Sequence, residues 1–150
     1  MSETITGGCQ CGHVRYAISE SLFGAHICHC RMCQKAFGNF FAALAGVKKS
    51  DLRWTASEPA YYRSSSLAQR GFCQHCGTPL SFAYDHTPHM GISIGSLDNP
   101  SLAKLENQYG LEGMVPAFPS LHALPGSRTE DDISPEDLQR LKSRQHPDHD

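Results

Sequence analysis

GGCQCGHVRYAI, residues 7–18, runs from two cysteines held between glycines into a stretch where Val14, Tyr16 and Ile18 alternate with His13, Arg15 and Ala17. A period of two marks a half-buried strand, so the Gly-flanked pair before it reads as the turn that feeds the strand. That turn has a counterpart in FCQHCG, residues 72–77, where Cys73 and Cys76 have C-x-x-C spacing and Gly77 permits a tight reversal. Each pair supplies half of a tetrahedral metal site. Joined, Cys9, Cys11, Cys73 and Cys76 make a closed four-thiolate site that ties the first strand to the middle of the chain across roughly 60 residues. Structural zinc contributes on the order of 10 kcal/mol to the folding of small metal-binding domains, so the role of such a site is structural.

Outward from these turns, short strand-like runs bounded by Gly, Pro, Asp or Ser recur at residues 51–55, 60–64, 69–73, 79–84 and 91–97. Short strands at this spacing predict a mainly β fold. QKAFG, residues 34–38, reads as a brief helix stopped by glycine, and NFFAALAGV, residues 39–47, as a buried strand whose alanines leave helix open. Phe40, Phe41, Trp54, Tyr61, Tyr62, Phe72 and Phe82 fall in or near these runs and are expected to fill the core between sheets. After residue 113 the proline-rich MVPAFPSLHALPG argues for an extended strap. SPEDLQRLKSR then opens a short helix with Ser134 as N-cap and Pro135 at its first position. The closing QHPDHD reads as a solvated, frayed tail rather than a weak metal site.

A chain of 150 residues fits one domain. Its formal charge of −2, with no Lys/Arg run, gives no electrostatic footprint for nucleic acid or an anionic membrane. No run of about 18 apolar residues offers a membrane span. MSETITGGCQ lacks the basic and apolar regions of a signal peptide, which gives the expectation of a soluble, cytoplasmic protein. Seven cysteines in a reducing compartment more often hold metal than form disulfides.

Four of the seven are used above. The other three lie in CHCRMC, residues 28–33, as Cys28, Cys30 and Cys33. Three protein ligands with a fourth position open are what a catalytic zinc presents to a substrate. An all-thiolate site is negatively charged, which disfavours acid chemistry on water and suits capture of a soft sulfur ligand. Two other readings stand beside this one. His29 could complete a closed site, although it lies between two ligands and its ring is expected to point elsewhere; it is also a candidate proton shuttle or a merely exposed structural histidine. Cys30 and Cys33 also have redox-pair spacing, but no surrounding βαβ pattern supports a thioredoxin-like site.

Taken together, GGCQCGHVRY, CHCRMCQKAFG, RGFCQHCGTPLSF and IGSLDNP resemble, in order, the glutathione-dependent formaldehyde-activating enzyme family, to which centromere protein V is also similar. The resemblance implies antiparallel sheets of the β-tent type organised around zinc. The zinc-binding domain would span residues 1–125, with 126–150 as a C-terminal helix and tail. It implies two zinc ions per chain: a structural one on Cys9, Cys11, Cys73 and Cys76, and a catalytic one on Cys28, Cys30 and Cys33. The implied activity is that of a carbon-sulfur lyase acting on a thiol-aldehyde adduct such as S-hydroxymethylglutathione. The partner would be a small thiol such as glutathione, without nucleic acid or membrane; the oligomeric state stays open. Arg15, Arg31, Lys35 and Arg70 are candidate receivers of glutathione's carboxylates. Around Gln108, Tyr109 and Pro116–Phe118 the sequence departs from the family's His and Pro-Trp pattern, which bears on the substrate wall. The competing classes are a zinc-stabilised binding module without catalysis and a cysteine-based reductase.

Overall fold

The structure, a computed structural model, describes residues 3–150. Ten strands and three short helices follow one another: β1 (Ile5–Gly8), β2 (Arg15–Ile18), β3 (Phe23–Cys28), α1 (Arg31–Phe37), β4 (Ala42–Lys48), β5 (Leu52–Trp54), β6 (Ala60–Arg63), β7 (Ala68–Phe72), β8 (Pro79–Tyr84), β9 (His89–Ser93), β10 (Leu105–Tyr109), α2 (Thr129–Asp132) and α3 (Pro135–Arg140). They form a three-stranded sheet, β1-β2-β5, and a seven-stranded sheet, β10-β3-β4-β9-β8-β7-β6. Every pairing is antiparallel except β10 with β3. The mainly β architecture expected from the sequence is therefore present. Among the described residues, no helix is long and apolar enough to cross a membrane.

Between the sheets, Val14, Tyr16 and Ile18 meet Val47, Leu80, Ile92 and Leu97 in one buried cluster. Full burial of each large side chain stabilises the fold by roughly 1.5–3 kcal/mol. The hydroxyl of Tyr16 shares a 2.8 Å hydrogen bond with Ser96 Oγ, which answers the polar end of a ring with no exposed surface. In β4 the period of two sorts side chains onto two clusters: Val47 joins this core, whereas Ala42 and Leu44 join a smaller one with Cys33. One strand thus separates the core from the three-cysteine region.

Several expectations are corrected. Strand β2 is buried at all four positions rather than on one face, because Arg15 is itself covered. Its guanidinium bonds both oxygens of Asp98, at 2.9 and 2.6 Å, and Asp150 Oδ1 at 2.6 and 3.0 Å. The tail is thereby docked rather than frayed; the His146 N–H also donates to the Gln10 carbonyl at 2.7 Å. Phe40, Tyr61 and Tyr62 are 45, 44 and 64 % exposed and do not fill the core. Strands β1, β3 and β10 and helix α2 arise where no regular element was expected. The run 91–97 divides into β9 and a 3-10 turn at Ile94–Ser96, and α1 begins earlier than QKAFG, inside the cysteine cluster.

The Arg15–Asp98 pair has a pH signature. Burial works against the Asp98 charge, but hydrogen bonds from Arg15 and Thr6 outweigh it and hold the carboxyl below the usual carboxylate range. A depressed folded-state value means fewer bound protons folded than unfolded. Its stabilisation is thus present above the unfolded value of about 3.9 and lost as pH falls through the folded one. Asp98→Asn is expected to cost about 2 kcal/mol at neutral pH in urea unfolding, with the difference from wild type shrinking at acid pH.

Candidate metal centres

Two turns of one design build the first cluster. Gly12 and Gly77, at φ 80° and 81°, follow Cys11 and Cys76 in the left-handed region that favours glycine. The Gly12 N–H closes onto the Cys9 carbonyl at 3.1 Å and the Gly77 N–H onto the Cys73 carbonyl at 2.8 Å. Cys9 Sγ also accepts the Val14 N–H at 3.2 Å, fixing the first turn to the strand that it feeds. All four sulfurs lie within 4.8 Å of one another, with Cys9–Cys11 at 3.6 Å and Cys11–Cys73 at 3.8 Å. Thiolates bound tetrahedrally at zinc–sulfur distances would sit about 3.8 Å apart, so this donor set fits such an ion.

The second cluster is built differently. Cys28 ends β3, Cys30 is the N-cap of α1, and Cys33 lies one turn inside that helix. The Cys30 sulfur accepts the Cys33 N–H at 3.4 Å, in the manner of a capping side chain. The three sulfurs converge within 4.8 Å. Among the described residues, no fourth His, Cys, Asp or Glu joins them. They open onto a cavity of about 640 Å³, also lined by Leu44, Arg70, Phe82 and Tyr109.

The acidities of the thiols show how crowded sulfurs divide charge. Burial pushes Cys28 up to about 12. At Cys30 burial is outweighed by the Cys33 N–H and the neighbouring sulfurs, and the thiol is lowered. Burial likewise pushes Cys73 up to about 12, whereas the Thr78 hydroxyl and N–H overcome it at Cys76 and draw that thiol to about 6. Adjacent thiols resist ionising together until a cation shares their charge, and metal binding then releases the remaining protons. Both clusters could thus hold a metal ion.

His29 is neither a fourth ligand nor exposed. Its ring is fully buried, Nε2 lies 2.9 Å from Gln108 Oε1, and the edges of Phe118 and Phe41 pack around it. It is a peg joining the cysteine loop to β10 through Gln108 and, through Phe118, to a 3-10 helix at Phe118–Ala123, which stands where an extended strap was expected. Gln34 adds a second link, donating to the carbonyls of His29 and Gly113 at 2.8 Å each. Gly110, at φ 63°, lies so close to Cys30 that a Cβ there would meet the Cys30 nitrogen at 2.7 Å. The divergent region around Gln108, Tyr109 and Phe118 therefore flanks the site. Among the four candidate cations, Arg15 is committed to Asp98 and Asp150, away from this cavity, while Arg70 lines it. Arg31 and Lys35 line an adjoining cavity. His75 is exposed and packs against His13, with ring centroids 3.9 Å apart.

Comparison with known proteins follows the same cysteine framework. The family model for the glutathione-dependent formaldehyde-activating enzyme matches residues 4–110. An uncharacterized lyase of Schizosaccharomyces pombe is 35% identical over 80 residues, which make up 52% of this chain and 56% of the relative. The chain thus spans just over half the length of the curated relative it matches. A crystal structure of a Rhodobacter sphaeroides protein, 26% identical, superposes with a TM-score of 0.55, covering 69% of this chain and 98% of the other. Because the family match takes in β1 to β10 and all seven cysteines, this chain belongs to the glutathione-dependent formaldehyde-activating enzyme family.

Proposed function

We propose that this chain makes and breaks a carbon-sulfur bond between a small thiol and an aldehyde, as a zinc-dependent lyase acting on an adduct such as S-hydroxymethylglutathione. The observation that carries the reading is the unequal division of sulfur: four thiols close on themselves, whereas three open onto a cavity with no fourth ligand among the described residues. In this reading Cys9, Cys11, Cys73 and Cys76 hold a structural zinc, and Cys28, Cys30 and Cys33 hold a second ion at the reacting centre. Held by Cys28, Cys30 and Cys33, zinc would supply a place where a substrate thiol is kept as thiolate at neutral pH.

The chain's own residues do the rest. Cys28, Cys30 and Cys33 fix the centre on a strand end and a helix start, so its position does not depend on a mobile loop. Leu44 and Phe82 give the cavity beside the cysteines apolar walls for the substrate. In the forward direction the sulfur lone pair forms the carbon-sulfur bond, the carbonyl π pair moves to oxygen, and that oxygen takes a proton from solvent; cleavage reverses each step. His29 is not among the residues that line this cavity; its ring is enclosed by Gln108, Phe41 and Phe118. Family membership and the lyase relative support this reaction class, and glutathione with formaldehyde is the first pair to test.

The test is exchange spectroscopy by NMR on glutathione and labelled formaldehyde at equilibrium. The zinc-loaded chain is expected to raise the exchange rate at least tenfold above the uncatalysed one, a modest demand on a metal-assisted step. No increase for glutathione or for a panel of simple thiols would remove the lyase reading.

A further inference from the structure

Residues 145–150 lie beyond the stretch that the family model matches, residues 4–110, and yet they are held in place. Among residues 141–150 only His146 is half-buried. Its N–H donates to the Gln10 carbonyl at 2.7 Å, and its ring lies against Gly12 so closely that no Cβ would fit there. Four residues on, the Asp150 carboxylate accepts from Arg15 Nε and Nη2 at 3.0 and 2.6 Å. Asp98 holds the same guanidinium from another side, so Arg15 is a fixed anchor to which the tail is tied.

Gln10 and Gly12 flank Cys11, so the tail grips the first cysteine turn on both sides of one sulfur-bearing residue. In the four-thiol cluster Cys9 and Cys73 are buried, Cys76 is half-buried and Cys11 is exposed. The second turn is rooted in the core through Cys73, which leaves the lifting of Cys11 in the first turn as the way out for an ion bound there. Thr78 links the two turns: its hydroxyl accepts the Gln10 N–H at 3.0 Å and lies 3.2 Å from the Cys76 sulfur. A cavity of about 200 Å³ at this junction is lined by Cys9, Gln10 and Thr78 and, from the tail, by Gln145, His146 and Asp148. The tail thus roofs the side from which a competing ligand would reach the sulfurs.

We propose that residues 145–150 are a latch on the four-thiol site. Docked, they hold the first turn shut and keep competing ligands off its sulfurs; released, they free Cys11 to lift and a bound ion to exchange. The latch opens from Asp150, whose side chain is 55 % exposed against 7 % for that of Arg15, so water and salt reach the pair there. Arg15 keeps Asp98 when the tail leaves, and no buried charge is left unpaired. Opening is therefore a local event of a surface segment rather than a step of global unfolding. The inference rests on the four-thiol half of the reading above and is independent of the lyase chemistry.

Zinc release from the loaded chain into excess pyridylazoresorcinol, followed by absorbance, reads the latch; the relevant phase is the one that Cys30→Ser retains. Removing residues 145–150 is expected to speed that phase at least about tenfold, the worth of a backbone hydrogen bond and a charge-assisted pair together. Release from the three-cysteine centre is expected to stay within about twofold, since no residue of the tail lines its cavity. Asp150→Asn keeps the His146 contacts and loses the charge, and is expected to speed the same phase about threefold; it decides the matter if the shortened chain does not fold. Salt at about 1 M, where the screening length is about 3 Å, is expected to speed release from the wild type and to leave the shortened chain unchanged. Release at the same rate with and without residues 145–150, or equal acceleration of both phases, would overturn the latch and leave the four-thiol reading standing. A wild type that holds no zinc at Cys9, Cys11, Cys73 and Cys76 would remove that reading and the latch with it.

Discussion

Replacing Cys73 by serine is expected to leave little folded protein. Cys73 has no exposed surface and belongs to the buried cluster with Tyr16, Leu80 and Ile92. Its turn is closed by the Cys73 N–H on the Thr78 carbonyl at 3.0 Å and the Gly77 N–H on the Cys73 carbonyl at 2.8 Å. The turn stands at the end of β7 in the large sheet and meets Cys9 and Cys11, which lie between β1 and β2 in the small one. An ion held there would join the two sheets at the edge of the core. Structural zinc is worth on the order of 10 kcal/mol, and the whole stability of a domain is roughly 5–15 kcal/mol. Loss of one thiolate removes a margin of the same size as the total. Soluble yield and far-ultraviolet circular dichroism check this. A Cys73→Ser protein that melts within a few degrees of wild type would show that the fold does not depend on the four-thiol site.

The opposite outcome is expected for Cys30→Ser. If the proposed function holds, activity on the thiol-aldehyde adduct should fall by about 10³-fold or more, since Cys30 would be one of only three ligands of the reacting ion. The fold should survive. Serine is among the best N-cap residues, so the introduced hydroxyl can accept the Cys33 N–H in place of the sulfur and α1 keeps its start. Around it, the His29 peg and the Gln34 links to the carbonyls of His29 and Gly113 are untouched. The melting temperature should drop by only a few degrees, equivalent to about 1 kcal/mol. The two cysteine variants would thus separate a scaffold ion from a reacting one. A Cys30→Ser protein with full activity would remove the open-centre mechanism, and one that unfolds as Cys73→Ser does would make both sites structural.

The grouping of cysteines was legible because ligand spacing is local: C-x-C, C-x-C-x-x-C and C-x-x-C each fit one turn, and the glycines after Cys11 and Cys76 marked the shape of those turns. Strand β8 was read at its observed bounds, since PLSFAY is bracketed by turn residues. What escaped depends on partners far along the chain. LENQY is exposed at every position and carries no alternation; it becomes β10 only because β3 offers it an edge about 80 residues earlier in the sequence. His29 looked exposed or free to shuttle protons, because the residues that enclose it arrive from far along the chain, Gln108 on β10 and Phe118 in the 3-10 helix beyond it. Arg15 read as the solvent side of a strand until Asp98 and Asp150 covered it, and the tail that delivers Asp150 bore only a composition typical of disorder. Arg70 was one of four candidate cations on equal footing; only the fold places it between two cavities with a donor unanswered.

Zinc content per chain, measured by mass spectrometry on protein loaded with zinc and freed of excess, tests the division of sulfur most directly. Two ions are expected in the wild type and one in Cys30→Ser, the remaining ion being held by the four-thiol site. A single ion in the wild type, left unchanged by Cys30→Ser, would contradict that division.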